Sequence, residues 1–219
     1  MKVLITAGGT EEKIDHVRSI TNSSTGNTGL AIAEHFAENG ASVDLLLNSA
    51  GIASHRSIST FAFTSFEDLE SLIHERLNIT RYDFIIHSAA VSDFKCSGIS
   101  MDKVNFYEAD KITSSSDVYL KLTPRKKIIN SLKRLQPNST LIGFKFTASN
   151  SEDENSRAIG KLFKNSNCDF VVHNSALTKK SAHEHPIEIY DRDFNIVAKT
   201  NGTKNIASKI FDLTKVAKL

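Results

Sequence analysis

A strand–helix–strand order at the start of the chain constrains the fold more than any other feature. Residues 3–7 form an apolar run that stops at Gly8 and Gly9, which is typical of a buried parallel strand. A helical pattern covers residues 26–40, and residues 43–47 form a second apolar run. Two strands joined through a helix imply a right-handed crossover and therefore a parallel sheet.

The alternation of strand and helix patterns continues along the chain. Further strands are predicted at 58–63, 83–87, 141–144 and 169–174, and helical patterns begin near 66, 124 and 153. Two short strands at 187–190 and 195–198 read as a hairpin, and a last helix carries Ile206, Ile210 and Leu213. We therefore expect a single domain over 1–219 of the α/β class. Its expected architecture is a Rossmann-like, doubly wound, mostly parallel sheet with a C-terminal β-hairpin and closing helix.

Residues 95–117 depart from this pattern. The segment is polar and irregular, and it is long for a compact domain, so we expect it to be functional or mobile. Its apolar residues Ile99, Val104 and Phe106 follow no period that would place them in the core of this domain. Pro124, which follows soon after, suits the first turn of a helix.

Composition excludes several classes of function. The net charge of +2 gives no reason to expect a nucleic acid or an anionic membrane as partner. Cys96 and Cys168 match no zinc-binding spacing, so reduced thiols near the core are expected, with a catalytic Cys96 as a minor alternative. No apolar run approaches the length of a membrane span, and no signal-peptide pattern precedes the first strand, so we expect a cytoplasmic protein.

The glycines after the first strand suggest an anion site of unusual construction. A dinucleotide-binding fold would place G-x-G-x-x-G directly between strand and helix. This chain has Gly8-Gly9, a long insertion and then residues 24–29, Ser-Thr-Gly-Asn-Thr-Gly, at the helix start. Free N–H groups, two glycines and several hydroxyls there would suit a phosphate. The alternative is a capped helix whose glycines only allow close packing.

Two other groups of residues could carry chemistry. Residues 88–93, Ser-Ala-Ala-Val-Ser-Asp, follow a buried strand, where Asp93 could orient a ribose hydroxyl, a substrate amide or a metal, or could simply cap a turn. Basic residues could neutralise a triphosphate, although solvated surface charges are the ordinary alternative and the favoured one for Lys126, Lys127 and Lys133. The basic candidates are Lys111, Arg125, Lys126, Lys127, Lys145, Lys161 and Lys164. His183 and His185 are expected to be exposed loop residues and receive no role.

The order of these motifs resembles that of the phosphopantothenate–cysteine ligases, also called phosphopantothenoylcysteine synthetases, which act in coenzyme A biosynthesis. The similarity spans the chain from about Val3 to the last helix. It rests on the blocks 4–10, 14–22, 24–29, 89–94, 110–112, 142–144 and 168–174. Three features depart from the family pattern. Pro124-Arg125-Lys126 replaces an Asn-Pro-Asp nucleotide loop, Lys161 and Lys164 are three residues apart rather than four, and His173-Asn174-Ser175 replaces Ala-Asn-Asp.

The resemblance implies roles for individual residues. Asn22 and Lys111 would be catalytic, Asn22 by contacting the pantothenoyl acyl group and Lys111 by stabilising the activated acyl phosphate. The substrate would also be bordered by Ala89, Ala90 and Asp93. The nucleotide would be held by Gly9, Ser24, Gly26, Gly29, Ser88, Asp93, Lys111, Pro124, Arg125, Lys126, Phe144, Lys161 and Lys164.

The resemblance also implies a reaction. The carboxylate of 4′-phosphopantothenate would attack a nucleoside triphosphate, and the amine of L-cysteine would attack the resulting acyl-nucleotide. We expect CTP, with ATP left open, Mg²⁺ on the phosphates with no assigned protein ligand, and a homodimer. The chain resembles the stand-alone form without the decarboxylase domain, so no flavin is expected. The alternative is a short-chain NAD(P)-dependent reductase or a nucleotide-sensing relative, against which the missing G-x-G-x-x-G counts.

Overall fold

The structure, a computed structural model, describes residues 1–48, 56–114, 116–178 and 185–216. Eight strands form one sheet. Across the sheet they lie in the order β12 (Ile196–Asn201), β11 (Pro186–Asp191), β10 (Phe170–Ser175), β9 (Thr140–Thr147), β6 (Phe84–His87), β1 (Lys2–Ala7), β4 (Ser42–Asn48) and β5 (Ile58–Phe63). All but β11 and β12 run parallel to one another. The predicted α/β, mostly parallel sheet is confirmed.

Helices cover both faces of the sheet, as a doubly wound fold requires. The helices are α1 Asn27–Glu38, α2 Phe66–Ile79, α3 Ile129–Leu135, α4 Glu152–Ser166 and α5 Thr203–Val216. Alternate residues of each strand face opposite sides, so the core divides in two. Ile5 and Ile86 pack with α1 and α5, whereas Leu4 and Ile85 pack with α2, α3 and α4. Within the described residues, no helix is long and apolar enough to cross a membrane.

Local signals explain where the helices begin. Ser65 caps α2 in a capping box with Asp68, and Ser151 caps α4 by accepting a hydrogen bond from Glu154 N. The prediction that Pro124 opens a helix is wrong. Pro124 ends strand β8, Tyr119–Pro124, and α3 begins at Ile129. An edge strand of a two-stranded sheet tolerates proline because the missing N–H removes no central ladder bond.

The C-terminal hairpin is also confirmed. Its strands β11, Pro186–Asp191, and β12, Ile196–Asn201, extend the sheet antiparallel from β10. Ile187 and Ile189 join the core, and α5 packs against β12. The hairpin therefore finds its burial within its own domain, and it gives no argument for a partner chain.

Two further hairpins stand outside the main sheet, and we call them the hairpin pair. One joins β2, Glu11–Lys13, to β3, Ser19–Thr21; the other joins β7, Phe94–Ser100, to β8. The second corrects the expectation that residues 95–117 are irregular throughout. Ile99, which sequence periodicity could not place, is buried and bridges to Tyr107 in an antiparallel contact.

The order of the strands reverses between β1 and β6. The chain leaves β1 through α1 toward β4 on one side, and it leaves β6 through α3 toward β9 on the other. The carboxyl ends of the two strands on either side of such a reversal border the crevice where doubly wound sheets bind ligands.

Candidate functional site

The segments after β1 and β6 are joined directly at this crevice. Gly9 bridges to Ala90, and Ala90 N donates to Gly8 O at 2.9 Å. Asn22 Nδ2 donates to Ala90 O at 3.0 Å. A Cβ at Gly9 would lie 2.6 Å from Asn22 O, so only glycine allows this approach. Three predicted site residues, Gly9, Asn22 and Ala90, therefore lie together.

The start of α1 lies beside this junction. Gly26 is the N-cap with φ 78°, no side chain caps the helix, and its first turn has no acidic residue. An uncapped N-terminus of this kind suits an anion. The glycines serve packing as well: a Cβ at Gly29 would lie 2.4 Å from Ala7 Cβ and 2.7 Å from Ser88 Oγ. The two alternatives raised by the sequence are therefore compatible. Ser24, predicted to hold phosphate, lies in the loop before this N-cap and donates its backbone N–H to Asn22 O at 2.7 Å.

A cavity of about 420 Å³, the first cavity, opens between the ends of β6 and β9 and the helices α3 and α4. It brings together four predicted site residues, Ala89, Asp93, Phe144 and Lys161. Its other lining residues are His87, Val91, Lys127, Ile128, Ile129, Asn130, Lys145, Ala158, Leu162 and Asn165. Apolar residues make up half of this lining and polar or charged residues the other half; polar groups that converge beside apolar walls are characteristic of small-molecule sites.

Lys127 is predicted to be a surface charge, and its side chain is exposed; it also lines the first cavity. Its ammonium pairs with the Asp93 carboxylate, and both side chains are about half exposed. Nothing in the sequence separates Lys127 from its neighbours Arg125 and Lys126, because only the path of the chain between β8 and α3 decides which of the three faces the cavity.

A second cavity of about 220 Å³ lies on the other side of Asp93. Asn22 and Asp93 line it together with Glu12. The remaining lining residues are Ile20, Ser92, Phe94 and Leu122. Asp93 therefore forms a wall common to both cavities.

Arg125 faces neither cavity. Its guanidinium forms ion pairs with Glu12 at 2.7 Å and Glu67 at 2.8 Å, and it stacks 4.5 Å from the centre of the Phe66 ring. Glu12 is only 5% exposed, so this is a largely buried pair that ties β2 to α2. Sequence reasoning missed Glu12.

Three further predicted site residues also lie outside the lining of both cavities. Pro124 pairs with Phe94 at the end of β8. Lys126 is exposed and pairs with Glu70 at 2.9 Å, and Lys164 is exposed on α4.

Lys111 is exposed on a loop that a buried carboxylate anchors. Asp15 accepts hydrogen bonds from Ile112 N at 2.9 Å and from the Arg18 guanidinium at 2.6 Å. It also accepts from Val17 N and Arg18 N, and His16 N donates to Asp110 O at 3.0 Å. The Ile112 N–H above all, with the other donors, holds the pKa of Asp15 far below its usual range. The loop of Lys111 is thereby fastened to the turn between β2 and β3.

Tyr107 and Lys111 have the Tyr-x-x-x-Lys spacing of short-chain reductases. That spacing brings two side chains together on a helix. Here Tyr107 lies in an extended bridge to Ile99, and Lys111 lies in a bend, so the spacing does not form that pair.

Thiol and metal chemistry find little support in the described residues. Cys168 is buried, and burial raises the pKa of its thiol to about 11, which keeps it protonated and agrees with the predicted core thiol. Cys96 is half-buried on β7. No group of three His, Cys, Asp or Glu side chains within the described part of the chain could hold a metal ion.

Known proteins are similar to this chain in sequence and in fold. Residues 1–217 match the model of the DNA/pantothenate metabolism flavoprotein C-terminal domain. The chain is 35% identical over 212 residues to the coenzyme A biosynthesis bifunctional protein CoaBC of Thermococcus kodakarensis, covering 96% of this chain and 50% of that protein. It thus spans about half the length of that curated relative.

Two solved structures are similar to this chain over nearly its whole length. The DNA/pantothenate metabolism flavoprotein from Streptococcus pneumoniae superposes with a TM-score of 0.88 at 29% identity, with 99% of each chain covered. A variant of Cab2 in complex with phosphopantothenate-cysteine superposes with a TM-score of 0.72, covering 99% of this chain and 87% of that one. At 16% identity, the second likeness concerns the fold alone.

Proposed function

The chain belongs to the family of the DNA/pantothenate metabolism flavoprotein C-terminal domain, and we propose that it is a ligase that joins 4′-phosphopantothenate to L-cysteine. The observation that carries the proposal is the placement of Asp93 between two cavities at the strand-order reversal. One cavity suits a nucleotide and the other contains Asn22. Two reactants bound in adjoining cavities are held close to each other, which makes their reaction effectively unimolecular.

The chemistry explains why two adjoining sites are needed. A carboxylate is a poor electrophile, so it must first attack the α-phosphorus of a nucleoside triphosphate and expel pyrophosphate. The amine of cysteine then attacks the acyl carbon, and the nucleoside monophosphate leaves with the electron pair of the broken carbon–oxygen bond. Both steps gain from positioning and from neutralisation of charge more than from acid–base catalysis.

We assign the nucleotide to the first cavity and the acyl group to the second. Lys127, Lys145 and Lys161 supply positive charge at the first cavity. The start of α1 lies across the same sheet edge, where the N–H groups of Thr28 and Gly29 can donate hydrogen bonds to phosphate oxygens. In the second cavity, the Asn22 amide is held against the Ala90 carbonyl, which orients it for the acyl oxygen.

Lys111 receives the role of stabilising the acyl phosphate. It carries a full charge on a polar loop that Asp15 fixes in place. A preorganised cation near a developing phosphate charge is an effective catalytic group. Lys111 lines neither cavity, so this role requires that its loop moves toward the cavities or that a second copy of the chain completes the site.

CTP is the proposed nucleotide, and Mg²⁺ would travel with its phosphates. Magnesium commonly keeps several waters and takes one or two carboxylates from the protein, and Asp93 is the carboxylate that borders the first cavity. Bound in this way, the ion would neutralise phosphate charge.

A coupled assay tests the proposal. The chain would be given 4′-phosphopantothenate, L-cysteine, Mg²⁺ and either CTP or ATP, and phosphopantothenoylcysteine would be measured by mass spectrometry. We expect product with CTP at the higher rate, and pyrophosphate in equal amount. Thermal shift with CTP, ATP and NADPH provides the contrast with a reductase, because stabilisation by NADPH alone would contradict the ligase.

A further inference from the structure

His87 is a buried polar residue of the first cavity to which no role has been given. It is the last residue of β6 and is 7% exposed, and its side chain lies on the α2–α3–α4 side of the sheet, where it lines the cavity. A buried polar group in a pocket is the kind of group that fixes a ligand's orientation.

The hydrogen bonds around His87 determine which ring nitrogen carries the proton. Nδ1 lies 2.9 Å from Thr6 Oγ1, and Thr6 Oγ1 also accepts from Ala89 N at 3.2 Å. Thr6 is fully buried, so its single hydroxyl hydrogen needs an acceptor. Among the described residues, His87 Nδ1 is the acceptor in reach. Thr6 therefore donates to Nδ1, and the ring hydrogen resides on Nε2.

The ring also stays neutral. Burial lowers the pKa of His87 to about 4, so the imidazole is uncharged throughout the physiological range. No described residue forms a hydrogen bond with Nε2. His87 is therefore a neutral donor with a fixed tautomer and a free N–H.

The surroundings indicate which part of a ligand this donor meets. Ile128 and Ile129, which line the cavity together with His87, are also buried, at 3% and 8% exposure. The charged Asp93, Lys127 and Lys161 lie at the exposed rim. The charged rim and the start of α1 therefore suit the phosphates of a nucleotide. The buried end of the cavity suits its flat ring.

We propose that His87 Nε2–H is the hydrogen-bond donor that recognises an acceptor atom of the nucleobase, a keto oxygen or an unprotonated ring nitrogen, at the buried end of the first cavity. The inference rests on the proposed function, because it takes the nucleotide as the occupant of this cavity. The phosphates would then bind at the positively charged rim.

Calorimetry with His87→Leu tests the proposal, and His173→Leu is the matched control. His173 is also buried and is also hydrogen-bonded to a threonine, with Nε2 2.9 Å from Thr147 Oγ1, but it lines a separate cavity. The affinity for CTP should fall about 5- to 150-fold in His87→Leu, because a buried acceptor of the base loses its donor. It should stay unchanged in His173→Leu. Affinity for inorganic tripolyphosphate should be equal in all three proteins.

The outcomes separate the two proposals. If neither CTP nor ATP binds the wild-type chain, the proposed function is at fault; if only ATP binds, the same comparison of variants is made with ATP. If CTP binds equally well to wild type and to His87→Leu, or if tripolyphosphate loses affinity along with CTP, the assignment of His87 to the base is wrong.

Nitrogen-15 NMR on the wild-type chain adds a test that needs no variant. The Nε2–H tautomer of His87 should be present from pH 5 to 8, and CTP should shift its Nε2 resonance. A protonated Nδ1, or an Nε2 signal that CTP leaves unchanged, would overturn the inference.

Discussion

The main sheet and the hairpin pair are stabilised in different ways. Every residue of β1 except Lys2 is buried, as are all four residues of β6. By contrast, all three residues of β3 are exposed, as are several apolar residues of β7, β8 and the loop between them. The exposed apolar side chains of the hairpin pair are Val17 and Ile20 in the first hairpin, and Phe94, Met101, Val104, Phe106, Tyr107 and Leu122 in the second.

Polar contacts hold the hairpin pair in place. Asp15 joins the first hairpin to the loop of Lys111, and the pairing of Arg125 with Glu12 and Glu67 joins it to α2. Charge-assisted hydrogen bonds fix geometry well but contribute less net stability than apolar burial. We therefore expect the main sheet to be rigid and the hairpin pair to open more easily.

The largest effect is expected in the sheet. Ile86→Ala should reduce the free energy of unfolding by about 2–5 kcal/mol, because it leaves a void in a closed core where Ile86 is 0% exposed. Ile20→Ala, at 37% exposure on the first hairpin, should cost about 0.5 kcal/mol or less. Urea unfolding of both variants provides the measurement. Equal losses would show that the hairpin pair belongs to the same cooperative core.

The largest effect on catalysis is expected in the hairpin pair. Lys111→Gln should leave the unfolding free energy unchanged, since the side chain is exposed, and slow formation of the acyl-nucleotide by about 10²–10³. Lys103→Gln, on the same loop, is the control. Pyrophosphate release in the absence of cysteine isolates this first step. A wild-type rate in a folded Lys111→Gln protein would remove Lys111 from the proposed role.

The same contrast explains what the sequence could predict. The strands of the sheet and the helix α2 follow from apolar runs and periodicity, because burial within one domain imposes those patterns. The β7 strand escapes that reasoning, since Phe94 and Lys95 are exposed and its partner β8 carries no strong period. Pro124 was misplaced because the same fixed φ suits an edge strand and a helix start.

Some residues of the candidate site could likewise be predicted from the sequence, and others could not. The glycines, Asn22 and the Ala89–Ala90 segment follow from the strand ends and from the resemblance to the ligases. Lys127, Glu12 and His87 could not be singled out, because their positions depend on long-range contacts. His87, for example, is fixed by Thr6, which lies 81 positions away in the chain.

A smaller effect is expected at the Asp15 anchor. Asp15→Asn should speed amide exchange at Ile112 and leave exchange at Ile86 unchanged, because it weakens the anchor and not the sheet.

The folded-state pKa of Asp15 is depressed, so its stabilisation is complete above the unfolded pKa of about 3.9 and is lost as the pH falls toward the folded value. The difference in melting temperature between wild type and Asp15→Asn should therefore be constant from pH 5 to 8 and shrink below pH 4. A difference that grows on acidification would contradict this account.

The smallest effect on the protomer, and the one that decides its assembly, is expected at Val104. Its side chain is 76% exposed beside Phe106 at 39%, and a two-fold contact between hairpin pairs would bury both. We therefore expect the wild-type chain to sediment as a homodimer, at twice its own 24.1 kDa, with the Lys111 loop near the neighbouring subunit.

Val104→Asp should return it to 24.1 kDa while changing the unfolding free energy of the protomer by about 0.5 kcal/mol or less. Ile79→Asp is the matched control and should remain dimeric, because Ile79 is 64% exposed but lies at the carboxyl end of α2, outside the hairpin pair. Ligase activity should fall with Val104→Asp alone if the partner completes the site. A wild-type mass of 24.1 kDa with full activity would show instead that one copy of the hairpin pair suffices.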